Sequence, residues 1–287
     1  MTRRLHSGFT LVELVVTIVI STIVVSFMAV FIAGPIDAFH DQSRRAELVD
    51  LAENALRRVA RDVRRALPNS VRVSASGPAA ALEVLNSVDG VRYREQPPPD
   101  DTDRQLDFSS ADAAFNTIGR FTAIAHPFSS TSHYLSIYNV GVPGANAYEL
   151  TNVITPPGTR IDISTDGVSG EDNVRLSPAF RFAYGSPGQR VFLVDGPVTY
   201  LCDTVTATLR RYDGYDIAAN QADRDSDAEL MAAGARRTVM TDHVSACNIA
   251  FAPGTAQRAG LVTLALRVAD AGETVSLLHQ VHVDNVP

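Results

Sequence analysis

The chain has 287 residues, 45% of them hydrophobic and 20% charged, with a formal net charge of −7 and a pI near 5.5. Such a composition excludes a disordered tail and leaves enough apolar residues, after one membrane segment, for one sizeable folded domain or two small ones. All of its basic side chains apart from histidine are arginine, a bias that GC-rich coding accounts for, and an acidic balance with no long basic run outside one helix argues against nucleic acid as a main partner.

The first element begins a few residues after Arg3 and Arg4. Residues 9–34 form an apolar run broken by a single carboxylate, Glu13. As a helix these roughly 26 residues reach about 39 Å, enough to cross a hydrocarbon core of about 30 Å with some tilt. An ordinary secretory signal has an apolar core of roughly 7 to 15 residues, so this run is too long, and Phe31-Ile32-Ala33 is a poor cleavage site. The two arginines hold the start of the chain in the cytoplasm and send everything after Gly34 to the opposite face, where both cysteines meet an oxidising compartment. A carboxylate at the centre of a membrane helix costs about 2.5 to 3.5 kcal/mol, and less near the helix start, where the first-turn amides favour negative charge. A cut between Gly8 and Phe9 would place a new amino group four residues before Glu13, where ammonium and carboxylate could neutralise each other within one subunit or between neighbours. The plainer alternative is an interfacial glutamate on a simple signal anchor.

Gly8-Phe9-Thr10-Leu11-Val12-Glu13, after a short basic leader and before a long apolar helix, resembles the processing signal of type IV prepilins and type II secretion pseudopilins. The resemblance implies cleavage after Gly8 by a prepilin peptidase, N-methylation of Phe9, and a role for Glu13 in docking the subunit into a growing filament and setting its axial register.

Gly34-Pro35 should kink or briefly break the helix, since proline removes a backbone donor and clashes with the preceding turn. Beyond it, Leu48, Ala52, Ala55, Val59, Val63 and Ala66 recur at spacings of three and four, drawing one apolar stripe up to Leu67, with Pro68 and Asn69 as the stop. Asp41/Arg45 and Glu53/Arg57 stand four apart on the other surface, and Arg57, Arg58, Arg61, Arg64 and Arg65 read as a solvated face. Strand-like runs come next: VRVS from Val71, ALEVLN from Ala81, VRYRE from Val91, HYLSIYNV from His133, RVFLVD from Arg190, PVTYLC from Pro197 and VTATLRRY from Val205. LVTLALRV from Leu261 and TVSLLHQVHV from Thr274 form a hairpin candidate around Ala269–Glu273. Glu95 onward (EQPPPDDTDRQ), TPPGTR from Thr155 and the acidic stretch from Asp213 read as surface loops.

Sites for chemistry are sparse. Asp223, Asp225 and Asp227 alternate as at the start of a calcium loop, but position six is Ala228 where the turn needs glycine, and position twelve is Gly234, without a carboxylate. The expectation there is a solvated acidic loop, with calcium as the alternative and no other cofactor. Nucleophile-elbow and histidine metal motifs are absent, and His279 and His282 fall on opposite faces of one strand, so no catalytic activity is expected. Cys202 and Cys247 on neighbouring strands could close a loop of about 45 residues, the alternative being two buried thiols.

The reading is an α+β, type IV pilin-like chain: a long N-terminal helix, transmembrane in its first half and amphipathic in its second, packed against an antiparallel β-sheet in a periplasmic domain. Its segments are a leader (1–8), a transmembrane helix (9–34), an amphipathic periplasmic helix (35–69) and a β-rich globular domain (70–287). Its size resembles that of the larger minor subunits of the J type, expected near a filament tip. PVTYLC followed by TLRRYDGY, the second cysteine and the closing HQVHVDNVP resemble the minor pilins of the mannose-sensitive haemagglutinin (MSHA) pilus. The resemblance implies an inner-membrane protein that then enters a pilus, with prepilin peptidase, other minor and major pilins, the inner-membrane assembly platform and membrane lipid as partners. A minor pseudopilin of type II secretion and a tip adhesin are the alternatives.

Overall fold

The computed structural model describes residues 8–96, 104–255 and 258–287. The leader residues 1–7, with Arg3 and Arg4, and residues 97–103 of the proline-rich loop lie outside the described residues.

One helix, α1 (Leu11–Arg64), runs for 54 residues. It continues through Gly34 and Pro35, so the break expected there does not occur. A proline inside a helix costs roughly 3 kcal/mol and one hydrogen bond, too little to end a helix whose flanking turns are intact, and membrane helices commonly tolerate the residue. The helix ends three residues before the expected Leu67, because tertiary pairing captures the chain first. Leu67 N donates to Leu85 O (2.8 Å) and Ser87 N to Arg65 O (2.9 Å). The stripe from Leu48 to Ala66 is buried as expected, joined by Leu56 and Ala60. Glu53 and Arg57 pair at 2.5 Å, whereas Asp41 pairs with Arg44 (3.4 Å), three residues on, and not with Arg45.

The remaining chain forms thirteen strands among the described residues, all paired antiparallel. They are β1 (Arg72–Ser76), β2 (Ala79–Tyr93), β3 (Asp112–Ile118), β4 (Phe128–Ser130), β5 (Tyr134–Ser136), β6 (Arg160–Thr165), β7 (Asp172–Phe180), β8 (Arg190–Asp203), β9 (Thr208–Asp213), β10 (Arg236–Thr241), β11 (Val244–Ala252), β12 (Gly260–Asp270) and β13 (Glu273–Val283). The large sheet has the order β10-β9-β8-β2-β3-β7-β6-β4, with β1 added to β2 and β5 to β8, and a small sheet has the order β11-β12-β13. The expected hairpin is β12–β13, with a two-residue turn whose Ala271 and Gly272 both have positive φ (44° and 93°). The runs ALEVLN and VRYRE merge into β2, and RVFLVD and PVTYLC into β8.

These two long strands pass from the largest core to the second largest along their length, because their register shifts. In β2, Leu82 and Val84 face the helix stripe, yet Val91 and Tyr93 face a second core; in β8, Val198, Tyr200 and Cys202 face the first, Val191 and Leu193 the second. Inward positions therefore change from even to odd numbers between Asn86 and Asp89, where the pairing with β8 is irregular and Gly196 has φ 129°. A bulge of this kind flips every side chain beyond it to the other face. The first core closes the helix stripe between the large sheet and the inner face of the small one, including Val262, Leu264, Val268 and Val281. The second, around Phe115, Phe121, Ile161, Ile163 and Phe182, is built by chain between β2 and β8.

The acidic stretch, expected as a surface loop, folds in part into helix. Helix α2 (Asp227–Ala232) starts with a capping box: the Ser226 hydroxyl accepts from Glu229 N, and the Glu229 carboxylate accepts from Ser226 N. Ser226-x-x-Glu229 is the sequence signal for such a start. Ser226→Ala is expected to lower stability by about 1 kcal/mol in urea unfolding, with the fold retained.

Candidate processing and assembly helix

Gly8, Phe9 and Thr10 precede the helix and are exposed, Phe9 at 72%. Thr10 is the N-cap, in extended conformation, and its hydroxyl accepts from Glu13 N (3.3 Å). The same hydroxyl donates to Glu13 Oε2 at 3.5 Å. Glu13 thus sits in the first turn, near the positive end of the helix dipole, and the exposed Gly8-Phe9 bond lies just outside regular structure.

The segment Leu11–Ala29 has a mean hydropathy of 2.5 and none of it is buried by the rest of the protein. Its polar side chains turn back on the backbone: Thr17 donates to Leu14 O (2.9 Å), Thr22 to Ile18 O (2.8 Å) and Ser26 to Thr22 O (2.8 Å). Hydroxyls satisfied within the helix can face hydrocarbon without an orphaned donor. Glu13 is the one ionisable side chain in this segment.

Two further contacts fix the second half of α1 to the body. Asp62, buried on the stripe, accepts from Tyr200 Oη (2.8 Å) and Arg211 Nε (2.8 Å), with Arg58 Nε 3.5 Å away. Burial, reinforced by the Asp62 charge, pushes the Tyr200 hydroxyl well above the usual phenol value. Sequence reading missed this aspartate, although a lone carboxylate among Val59, Ala60 and Val63 is the signal for a buried polar partner. Cys202 on β8 and Cys247 on β11 form a disulfide with Cα atoms 6.4 Å apart. They lie on facing sheets and not on neighbouring strands of one sheet, so the bridge ties the large sheet to the small one across the first core. Cys202→Ser with Cys247→Ser is expected to cost about 3 to 4 kcal/mol of stability, read by denaturant unfolding, because a loop of 45 residues regains its freedom in the unfolded chain.

A second buried charge lies under the loop after β9. Glu83 is fully buried, accepts from Arg72 Nε (2.7 Å), and receives the Tyr215 hydroxyl at 3.3 Å. Arg72 in turn covers the Tyr148 ring at 3.6 Å and donates to Ala218 O and Ala219 O. Burial raises the Glu83 carboxyl above its ordinary 4.5, against the lowering pull of Arg72 and Tyr215. A raised acid binds its proton more tightly in the folded state, so its stabilising contribution is full below 4.5 and fades as pH rises through the folded value. Relative to Glu83→Gln, the wild type should therefore gain stability as pH is lowered through that window, measured by urea unfolding at stepped pH. An opposite slope would contradict the burial argument.

The aspartates considered for calcium do not converge. Asp223 closes a short 3-10 helix, while Asp227 starts α2 and pairs with Arg237 (3.1 Å) and Arg210 (3.4 Å). Among the described residues no group of three or more histidine, cysteine or acidic side chains is placed to hold a metal ion.

An exposed Gly-Phe bond, an N-capped apolar helix carrying one first-turn glutamate, and an antiparallel β domain on the same helix define a chain with a type IV pilin-like signal. Residues 3–29 match the family described as the prokaryotic N-terminal methylation motif. Neither the curated proteins nor the solved structures give a significant match to the chain. The motif points to a pilin or pseudopilin, processed by a prepilin peptidase, and the apolar helix fits an inner-membrane anchor.

Proposed function

We propose that this chain is a minor pilin, a non-enzymatic subunit that joins other minor pilins to initiate or cap assembly of an MSHA-type pilus, similar in role to minor pilin O of that system. The observation that carries the reading is the methylation motif at 3–29 on an apolar helix that the rest of the chain leaves uncovered. In this reading residues 1–8 are removed, 9–34 anchor the subunit in the inner membrane, and 35–69 present the periplasmic domain 70–287. Phe9 becomes the methylated N-terminus, and its ammonium stands one residue before the N-cap, within reach of Glu13 on its own or a neighbouring helix. Lipid-exposed apolar surface lost on leaving the bilayer is covered by other pilin helices in the filament. The domain then sits at or near the filament tip, beyond the assembly platform.

The test has two parts. Mass spectrometry of the protein purified from its own membranes should find a chain beginning at methylated Phe9. Deletion of the gene should abolish piliation, and pull-down of the tagged chain should recover other minor pilins. A mature chain beginning elsewhere would overturn the assignment, and loss of secretion with pili intact would move it to the type II pseudopilins. Loss of adhesion with pili intact would make it a tip adhesin.

A further inference from the structure

On the face of the large sheet opposite the second core, β2 and β8 place Arg92 directly across from Arg190. Adjacent like charges oppose strand pairing and nothing in the fold requires them. Arg120, after β3, comes to the same place, and the three arginines line a cleft of about 410 Å³ together with Gly90, Ile118 and Phe192. All three arginines are exposed. Their compensation is weak: Arg92 donates to the neutral amide oxygen of Gln189 (2.5 Å), Arg190 stands 3.5 Å from Asp284, and Arg120 stands 3.9 Å from Asp172. The nearby Asp89 carboxylate is occupied by the backbone amides of Gly90, Thr122 and Ala123, and that of Glu95 by Gln189. A chain with net charge −7 thus gathers three cations in one recess.

Phe192 supplies the second half of the recess. Its ring lies over Gly90, where a Cβ would meet Cδ1 at 2.8 Å, and it also lines the cleft. Guanidinium groups pair at once with two oxygens of a carboxylate or of a tetrahedral oxyanion such as sulfate, and an aromatic side chain beside them suits the apolar face of a sugar ring. We propose that this cleft binds an acidic oligosaccharide, with a uronate carboxylate or sulfate on Arg92, Arg190 and Arg120 and the adjoining ring against Phe192. A cleft of this volume holds one or two sugar units, and three arginines neutralise only a short run of anionic groups, so a long phosphate backbone gains little here. The proposal is independent of filament assembly.

The test is titration of the full chain in neutral detergent with an oligogalacturonate hexamer, a heparin-derived hexasaccharide, a neutral maltohexaose and a single-stranded DNA 20-mer, calorimetrically at low and high salt. The first two arms separate carboxylate from sulfate, and binding of either, weakening with salt and absent for maltohexaose, is expected. Arg92→Gln with Arg190→Gln should lower that affinity at least about tenfold while leaving the melting temperature unchanged or raised, since a repulsive pair is removed. No binding of either acidic sugar, affinity unchanged in the double variant, or tighter binding of the DNA would overturn the proposal.

Discussion

Gly8→Val is expected to leave the full precursor in the membrane, with its domain folded and no mature chain. A Cβ at Gly8 meets nothing within 4 Å, so a branched side chain is accommodated by this protein and the effect falls on recognition by the peptidase. Immunoblotting of cells that express the peptidase should show a single slower band and a melting temperature equal to wild type. Glu13→Val separates the next step. Removing the carboxylate lowers the insertion cost, by up to about 2.5 to 3.5 kcal/mol at full membrane depth, so anchoring is retained. The Thr10 hydroxyl still accepts from residue 13 N, so the helix start persists. Processing should therefore be normal while incorporation into pili or minor-pilin complexes falls sharply. Normal processing of the first variant, or normal incorporation of the second, would contradict the roles given to these residues.

Asp62→Ala is expected to destabilise the domain by about 3 to 5 kcal/mol, through loss of two hydrogen bonds to a buried carboxylate worth about 1.5 to 3 kcal/mol each. Arg211, whose side chain is 13% exposed, loses one of its two carboxylate partners and keeps Asp213. Tyr200 loses its acceptor as well, inside the first core. Because Asp62 is on α1 and both partners are on the large sheet, the loss loosens the helix against the body without touching the lipid-facing half. Urea unfolding of Asp62→Ala, Arg211→Met and the double variant forms a thermodynamic cycle. The double variant should be less destabilised than the sum of the two single variants, since both break the same Asp62–Arg211 pair. Additive effects would show that the pair is not coupled.

Several features of the fold were legible because they depend on local spacing. The stripe from Leu48 to Ala66 has the helical period, and all six of its positions are buried. The β12–β13 hairpin was visible from alternation around Ala271-Gly272. By contrast β3, β6, β7 and β10 drew no expectation. β10 is mostly exposed, and β6 and β7 mix buried isoleucine, valine and leucine with charged residues, of which Asp172 is itself buried. Their burial is imposed by partners far away in the chain, and short windows do not carry that information.

The sequence by itself determined the processing signal, the long apolar helix with its single glutamate, its amphipathic continuation and the antiparallel character of the domain beyond the helix. These rest on hydropathy, period and a contiguous motif, all of which act within a few turns of chain. Only the tertiary structure decided that the helix continues through Pro35, that Asp62 is held by β8 and β9, and that the cystine joins two sheets. It also decided that two adjacent register shifts carry β2 and β8 from the first core to the second and bring Arg92 opposite Arg190. Each of these depends on which strands meet and in what register, a choice made by the packing of distant apolar faces.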